Sequence, residues 1–345
     1  MKKMKVAMYY NNLDVRIEEM PIPRINDDEL LVKVISSGIC GSDVMEWYRI
    51  KKAPLVLGHE IAGNIIESGK NVKKFSVGDR VFVTHHVPCN KCRYCLNNEH
   101  TLCSTLHSTK FYPGGFAEYI RIPAINVDRG TFLLPDEMSY DEGTFIEPLA
   151  CVVRGFRIAK FKPAQSVLIL GSGMAGLINI KLARALGASK IFATDINNYR
   201  LEMAKKMGAD LVINSKENIP KIVEKNNDGR LADFVILCTG ASAAVQQALQ
   251  SIEPGGTLLI FAPIKPEIGI PIHLFDIWNK QIKIFSTYAG AGKDIIDAIE
   301  FIRSKKLIVT DMITHKLSLE KAKEGFFLVA NANESVKVIL ENNKN

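Results

Sequence analysis

Four cysteines in one short segment offer the clearest chemistry in this sequence of 345 residues. They stand in the run Cys89-Asn-Lys-Cys92-Arg-Tyr-Cys95 and at Cys103, separated by two, two and seven residues. Thiolates at these spacings can close around one tetrahedral zinc ion, and four protein ligands leave no position for a substrate. The alternative is that they are small buried core residues. We expect a structural zinc site here, so the reacting groups must lie elsewhere.

The composition is that of a soluble globular protein long enough for two domains, with 47% hydrophobic and 23% charged residues. No segment reaches the ~20 apolar residues of a membrane span, and the N-terminal residues lack the apolar stretch of a signal peptide. We therefore expect a cytoplasmic protein without membrane contacts. In a reducing compartment zinc explains the clustered cysteines better than disulfides do.

The net charge of +7 comes from scattered lysines. No basic stripe interleaved with aromatic residues is present, so we expect no nucleic-acid partner. Residues 49–52 are interpreted as part of a solvated basic surface. A mildly positive field still favours anionic ligands such as a dinucleotide.

The hydrophobic pattern predicts a β-rich domain followed by a parallel α/β domain. Up to about residue 127, short apolar runs alternate with Gly, Asp and Asn, at 29–35, 61–66 and 79–83. From about residue 166, apolar strands alternate with helical stretches, the strands lying at 167–170, 190–194, 211–213, 234–238, 257–261 and 282–286. Apolar strands separated by helices are typical of a doubly wound parallel sheet.

The segment after Tyr288 is expected to rejoin the first domain. It shows a helix at 294–303, a short strand near Met312, a helix after Ser318, a strand at 335–339 and a polar tail at 341–345 that we expect to fray. The predicted domains are therefore 1–152, 153–287 and the returning segment 288–345. The cleft between the domains is the expected ligand site.

A glycine-rich turn stands between the first strand and helix of the second domain, in the order Gly171-Ser-Gly173-Met174-Ala175-Gly176. Its first glycine permits a tight turn, its second lets the backbone approach a pyrophosphate, and its third lets helix and strand pack closely. The motif alone is weak evidence, but here a strand precedes it and a helix follows. We expect a dinucleotide to bind at this turn.

Asp195 ends the next strand, 19 positions beyond the last of these glycines. A carboxylate there accepts hydrogen bonds from the adenosine ribose and repels a 2′-phosphate, which favours NAD over NADP. Arg200 lies close enough in sequence to weaken that preference. The alternative role for Asp195 is the N-cap of a helix over 197–207.

A second set of metal-binding residue types lies outside the four-cysteine segment. Cys40-Gly-Ser42-Asp43 and Gly58-His59-Glu60 belong to the β-rich domain, and Glu147-Pro148 precedes the nucleotide domain. Each group alone is ambiguous, since a buried cysteine or a lone histidine is usually structural. Together they offer thiolate, imidazole and carboxylate, a donor set suited to an open catalytic zinc site.

These segments together resemble the zinc-dependent medium-chain alcohol dehydrogenases. The chain is most similar to the branch of sorbitol (polyol), hexitol-phosphate and threonine dehydrogenases. The resemblance covers nearly the whole chain and also includes residues 77–81 (V-G-D-R-V) and 114–119 (G-G-F-A-E-Y). It implies a GroES-like catalytic domain interrupted by a Rossmann domain, two zinc ions and NAD. It also implies a homodimer or homotetramer, usually paired through the last Rossmann strand.

The resemblance implies roles for individual residues. Cys40, His59 and Glu147 would bind the catalytic zinc, and Glu60 would be able to swing toward the metal. Glu147 stands where the alcohol dehydrogenases have a cysteine, which indicates a polyol-type site.

Three further roles follow from the same resemblance. Ser42 would carry the proton of the substrate alcohol, Asp43 would fix the tautomer of His59, and Cys151 would face the nicotinamide. For Cys151, a core residue or an alternative ligand is the competing interpretation.

The expected function is hydride transfer between NAD and a secondary alcohol, namely a polyol, diol or sugar alcohol. L-Threonine is the alternative substrate, although Met45 replaces a histidine that threonine and polyol dehydrogenases commonly carry there. A noncatalytic NAD-binding regulatory protein is the alternative from another class. Retention of all the zinc-site residues argues against it.

Overall fold

The structure is a computed structural model that describes residues 2–342. Its contacts divide the chain into two compact units, one formed by Met1–Ala150 with Ala289–Asn345 and the other by Cys151–Tyr288. No helix within residues 2–342 is long and apolar enough to cross a membrane.

The strands, in chain order, are β1 (Lys3–Asn11), β2 (Asp14–Pro21), β3 (Leu30–Ile39), β4 (Leu55–Val56), β5 (Glu60–Ser68), β6 (Arg80–Val83), β7 (Tyr119–Ile122), β8 (Thr131–Leu133), β9 (Ser166–Leu170), β10 (Lys190–Asp195), β11 (Leu211–Asn214), β12 (Ala232–Leu237), β13 (Ile252–Ile260), β14 (Lys283–Ser286), β15 (Ile313–Ser318) and β16 (Lys337–Glu341).

The helices are α1 (Glu46–Arg49), α2 (Arg93–Leu96), α3 (Ser104–Ser108), α4 (Ala124–Arg129), α5 (Tyr140–Gly143), α6 (Ile146–Ile158), α7 (Met174–Ala185), α8 (Asn198–Lys206), α9 (Ile219–Lys225), α10 (Ser242–Gln250), α11 (Leu274–Asn279), α12 (Lys293–Arg303) and α13 (Ala322–Asn331).

The first unit contains two sheets. A small sheet has the strand order β2-β1-β4, and a larger one has the order β15-β16-β3-β5-β6-β8, with β7 also paired to β3. Strand β16 runs antiparallel to β3, and β15 runs parallel to β16. Strands β15 and β16 thus belong to the same sheet as β3 and β5. Strand β3 ends just before Cys40, and β5 begins just after His59.

The core of this unit joins residues from both of its chain segments. Phe326 on α13 packs its ring 5.6 Å from the ring of Tyr9 and 5.5 Å from that of Phe116. All three side chains are fully buried, and burial of large aromatic side chains is a major source of stability. The returning segment therefore contributes to the core as well as to the sheet.

The prediction that residues 341–345 form a frayed tail is wrong for residues 341 and 342. Glu341 belongs to β16, and the buried side-chain amide of Asn342 donates hydrogen bonds to the carbonyl oxygens of Val34 at 3.0 Å and Ala117 at 2.9 Å. These bonds satisfy buried carbonyl groups and fix the end of the strand. Residues 343–345 lie outside the described part of the chain.

The second unit is a parallel sheet with the strand order β11-β10-β9-β12-β13-β14. Every pairing in it is parallel, and β9 and the centre of β12 are fully buried. The chain order of the strands reverses beside β9, between β10 and β12, which is where such sheets bind ligands. The predicted fold class, a β-rich domain plus a doubly wound parallel sheet, is confirmed.

Candidate active site and structural metal site

The four-cysteine segment folds as one compact lobe. The Sγ atoms of Cys89, Cys92, Cys95 and Cys103 all lie within 4.8 Å of one another. Two of these separations are 3.5 Å, from Cys92 to Cys95, and 4.0 Å, from Cys89 to Cys95. Tetrahedral zinc with Zn–S bonds of about 2.3 Å places its sulfur atoms at about 3.8 Å. The four thiols fit a closed zinc site.

The surroundings within the lobe favour the thiolate of Cys103 and oppose that of Cys95. Burial opposes ionisation of Cys103, but hydrogen bonds from backbone N–H groups, including that of Cys89 at 3.4 Å, outweigh burial and lower its pKa to about 5. Burial and the neighbouring thiols raise the pKa of Cys95 to about 12. A bound divalent cation removes that difference because it favours the thiolate at every ligand.

A second cluster joins the end of β3 to the start of β5. Cys40 follows β3, His59 precedes β5 and Glu60 is its first residue, and their ligand atoms all lie within 4.8 Å of one another. Burial, together with the adjacent Glu60 carboxylate, raises the pKa of the Cys40 thiol. A bound cation would reverse that shift, so thiolate, imidazole and carboxylate together fit a zinc ion.

Asp43 orients the imidazole of His59. Its fully buried Oδ1 lies 3.4 Å from Nδ1 of His59, and its Oδ2 accepts a hydrogen bond from the backbone N–H of Cys40 at 3.1 Å. Burial opposes protonation of His59, but Asp43 and Cys40 outweigh it and raise the pKa of the imidazole well above its usual range. Because Nδ1 faces Asp43, Nε2 is the nitrogen available to a metal.

Glu60 is held by a buried cation that the sequence analysis did not identify. The Nζ of Lys337 on β16 forms an ion pair and a hydrogen bond with Oε2 of Glu60, and both side chains have 0% exposure. A Cβ atom at Gly38 would overlap both partners, so any larger residue there would displace this ion pair. The other oxygen, Oε1, is buried without a hydrogen-bond partner among the described residues. An orphaned carboxylate oxygen beside Cys40 and His59 fits a metal ligand.

Two residues assigned through the resemblance lie on α6. Glu147 lies half-buried in the first turn of α6 and does not join the group whose ligand atoms are all within 4.8 Å of one another. Cys151 lies one turn further along the same helix and is also half-buried. Among the described residues, Glu60 is the carboxylate that groups with Cys40 and His59 within 4.8 Å.

The interpretation of residues 49–52 as a solvated cluster is wrong for Arg49. Lys51 and Lys52 are exposed, but the Arg49 side chain is only 17% exposed. Its Nε donates to the carbonyl oxygen of Ser42 at 2.9 Å, and its Nη2 donates to Oγ of Ser42 at 3.1 Å. The same Nη2 lies 3.5 Å from Oδ1 of Asp43. Arg49 is less exposed than Lys51 and Lys52 because it contacts Ser42 and Asp43, and a basic run in the sequence does not reveal such contacts.

Two adjacent histidines, also missed from the sequence, extend the buried site. The ring of His85, just after β6, lies 5.0 Å from the ring of His59 and 3.7 Å from that of His86. Burial lowers the pKa of His85 well below its usual range and that of His86 to about 3, so both imidazoles are neutral at physiological pH. The pair His85-His86 in the sequence was the available signal.

The glycine-rich turn has the geometry expected of a dinucleotide site. Gly171 has a φ of +96°, and a Cβ atom at Gly176 would overlap the carbonyl oxygen of Gly171, so the tight turn and the close packing of α7 both depend on glycine. Gly173 precedes α7, which begins with Met174 and Ala175. A Cβ atom at Gly173 would meet only the guanidinium of Arg200 within 4 Å, so a pyrophosphate can approach the N-terminus of α7 here.

Asp195 ends β10 beside this turn, and its carboxylate is bound to the backbone. Oδ2 accepts a hydrogen bond from the N–H of Ser172 at 2.9 Å, and Oδ1 accepts one from the N–H of Asn197 at 3.0 Å. The N-cap of α8 is Asn197, so Asp195 does not cap that helix. The guanidinium of Arg200 lies 3.9 Å from Asp195, which places a cation next to the expected ribose position.

Comparisons with known proteins agree with this geometry. Residues 26–131 match the alcohol dehydrogenase GroES-like domain, and residues 175–304 match the zinc-binding dehydrogenase family. The chain is 35% identical to sorbitol dehydrogenase from Bacillus subtilis, covering 99% of this chain and 98% of the relative. It is 33% identical to D-xylulose reductase A from Aspergillus oryzae, covering 94% and 93%.

A solved structure shares the whole architecture. The 2R,3R-butanediol dehydrogenase from Bacillus subtilis has a TM-score of 0.85 and 27% identity, covering 99% of this chain and 100% of that one. The two-unit fold and the thiolate–imidazole–carboxylate cluster define a zinc-dependent dehydrogenase. The chain belongs to the medium-chain, zinc-binding alcohol dehydrogenase superfamily, in its polyol dehydrogenase branch.

Substitution of a cysteine in the four-cysteine lobe tests whether its zinc is structural and not catalytic. Cys103→Ser should release one zinc ion per chain and lower the thermal unfolding midpoint, because a structural zinc site contributes directly to folding. The protein that remains folded should keep the zinc at Cys40 and His59 and transfer hydride. Metal analysis and calorimetry measure both effects.

The control is Cys238→Ser, which replaces a half-buried cysteine on the second unit and should leave the zinc content unchanged. Unchanged zinc content in Cys103→Ser, with turnover selectively lost in well-folded protein, would contradict a purely structural lobe.

Proposed function

We propose that this protein is an NAD-dependent zinc polyol dehydrogenase, which interconverts a secondary alcohol in a polyol, diol or sugar alcohol with the corresponding ketone. The observation that carries the proposal is the cluster of Cys40, His59 and Glu60 on a chain that also has the glycine turn at 171–176. The names of its relatives, sorbitol dehydrogenase and D-xylulose reductase, support a polyhydroxylated substrate.

When bound, zinc would polarise the substrate oxygen as a Lewis acid and NAD would accept the hydride. Cys40 and His59 would hold the metal, with Asp43 fixing the imidazole so that Nε2 is the ligand atom. Glu60 would offer its unpartnered Oε1 while Lys337 neutralises Oε2. Glu147 remains our proposed further ligand, from the first turn of α6.

Ser42 would exchange the proton of the substrate hydroxyl. Ser42 stands two residues after Cys40, and Nη2 of Arg49 donates a hydrogen bond to its Oγ at 3.1 Å. A hydroxyl can donate one hydrogen bond and accept two, so Ser42 keeps its own proton free while it accepts the bond from Arg49. We assign proton transfer at the substrate oxygen to Ser42 Oγ, with Cys151 proposed to face the nicotinamide.

We further propose that Asp195 selects NAD over NADP. The carboxylate retains lone pairs beyond the two that accept backbone N–H groups, and these can accept bonds from the ribose hydroxyls. A 2′-phosphate at that position would meet a negative charge. Arg200 reduces this repulsion because its guanidinium lies 3.9 Å from the carboxylate.

Asp195→Asn should lower the preference for NAD over NADP, measured as the ratio of the two kcat/KM values, by roughly tenfold. The estimate reflects the difference of about 1 kcal/mol or more between a charged and a neutral hydrogen-bond acceptor. Glu202→Gln, which neutralises an exposed carboxylate on the neighbouring helix α8, should leave the ratio within twofold. An unchanged ratio in Asp195→Asn would remove this residue from cofactor selection.

The experiment that tests the function is NADH formation by zinc-loaded protein with sorbitol, xylitol, 2,3-butanediol, hexitol phosphates and L-threonine. Turnover should be greatest on a polyol or diol, and His59→Ala should abolish it with loss of one zinc ion per chain while NAD binding persists. Threonine turnover would replace the proposed substrate class. No turnover on any compound by protein holding both zinc ions and NAD would overturn the proposed function.

We also propose that the protein is a cytoplasmic homodimer or homotetramer paired through β14. This strand ends the order of the parallel sheet, so its outer edge has no strand partner among residues 2–342. Nearby α11 exposes Leu274, Phe275 and Trp278 at 76%, 70% and 73%. A free edge beside exposed aromatic side chains suits pairing with a second copy of the chain.

Trp278→Glu should shift the protein toward monomer in light-scattering measurements, because a charge would be buried in the pairing surface. Phe327→Glu makes the same kind of change at an exposed aromatic residue on α13 and should leave the oligomer intact. A monomeric wild-type protein, or equal effects of the two substitutions, would refute pairing through this edge.

A further inference from the structure

The short helix α1 turns the side chain of Arg49 back onto the Cys40–Asp43 turn. The backbone N–H groups of Tyr48 and Arg49 both donate to the carbonyl oxygen of Met45, at 2.9 and 3.1 Å. The guanidinium lies over the ring of Tyr48, 4.9 Å from its centroid. The backbone turn and the aromatic face therefore limit where this long side chain can go.

Two donor nitrogens of Arg49 then engage Ser42. Nε donates to the Ser42 carbonyl oxygen at 2.9 Å and Nη2 donates to Ser42 Oγ at 3.1 Å. A pair of bonds from one planar guanidinium to the backbone and the hydroxyl of the same residue fixes both its position and its side-chain orientation. The 3.5 Å approach of Nη2 to Asp43 Oδ1 joins this contact to the residue that orients His59.

We propose that Arg49 is a positioning residue that fixes Ser42 as a hydrogen-bond donor to the substrate oxygen. A guanidinium has donors only and keeps its proton, so it cannot accept the proton of Ser42. The bond from Arg49 occupies one lone pair of Oγ and leaves the hydroxyl hydrogen for the substrate. The adjacent fixed positive charge also strengthens the O–H group as a donor.

This inference rests on the proposed function and adds a specific consequence for proton transfer. Arg49 can hold Ser42, but it cannot continue a proton relay from it. The proton exchanged at Ser42 must therefore pass to a group other than Arg49, and Met45, five residues after Cys40, is no proton acceptor either. In proton transfer the arginine therefore acts through the Ser42 hydroxyl.

A purely structural role as counter-ion of Asp43 is the competing explanation. Asp43 is fully buried, with the guanidinium of Arg49 and the imidazole of His59 as its neighbours, and removal of one would disturb the turn as a whole. In that case Arg49 variants would lose zinc or stability whether or not Ser42 were present. The two explanations differ in whether the effect of Arg49 depends on the Ser42 hydroxyl.

A double-mutant cycle with Ser42→Ala and Arg49→Gln distinguishes them. Arg49→Gln should lower kcat roughly tenfold to hundredfold, a part of the ~10²–10⁴ contributed by a positioned proton-transfer group, with little change in KM or zinc content. In the Ser42→Ala background the same substitution should change kcat less than about twofold. Equal effects in both backgrounds would overturn the proposal.

A matched variant and a structural measurement complete the test. Lys52→Gln removes an exposed positive charge that also faces Tyr48, at 5.6 Å, and should leave kcat unchanged. In crystals of the zinc-loaded protein, Ser42 should show one side-chain rotamer in the wild type and several in the Arg49→Gln variant. A single unchanged Ser42 rotamer in the Arg49→Gln variant would overturn the proposal. This measurement does not depend on turnover. Wild-type protein that oxidised none of the alcohols would separately refute the proposed function.

Discussion

The structure around Cys40 depends on the cost of burying several acidic groups together. The Cys40 thiol and the Glu60 carboxyl group lie in one cluster with His59, and the carboxyl group of Asp43 lies beside His59. Both carboxyl side chains have 0% exposure. Buried negative charges without compensation would be strongly destabilising. The site is possible only because cationic groups, and in the loaded protein a metal ion, lie against each of them.

The compensating groups come from different parts of the chain. His59 is adjacent to Glu60 in sequence, Arg49 comes from α1, and Lys337 comes from β16, which reaches the site through its pairing with β3. Lys337 pairs with Glu60, while His59 and Arg49 both approach Asp43, so the position of each side chain limits where the others can lie. The arrangement leaves Glu60 Oε1 as the carboxylate oxygen available for a metal.

Sequence patterns predicted the two motifs whose residues stand close together and missed contacts that depend on how the side chains fold inward. The turn at 171–176 and the lobe at 89–103 could be recognised because all their essential residues lie within a few positions of one another. Lys337 could not be recognised in this way, because its partner Glu60 is 277 residues away and a lysine between valines is usually exposed. Arg49 was misjudged because a basic run gives no sign of which side chain folds inward. The role of Glu147 came from resemblance alone.

The distant origin of Lys337 has a consequence for the order in which the protein can be completed. During synthesis Glu60 leaves the ribosome long before β16, so the acidic residues beside Cys40 exist for most of translation without their buried lysine. The parallel sheet of the second unit lies between them in the chain and uses only its own residues, so it can form first. Pairing of β16 with β3 is then a late, long-range closure, and long-range strand pairing is slow. The cluster of Cys40, His59 and Glu60 reaches its final charge balance only when this closure is complete.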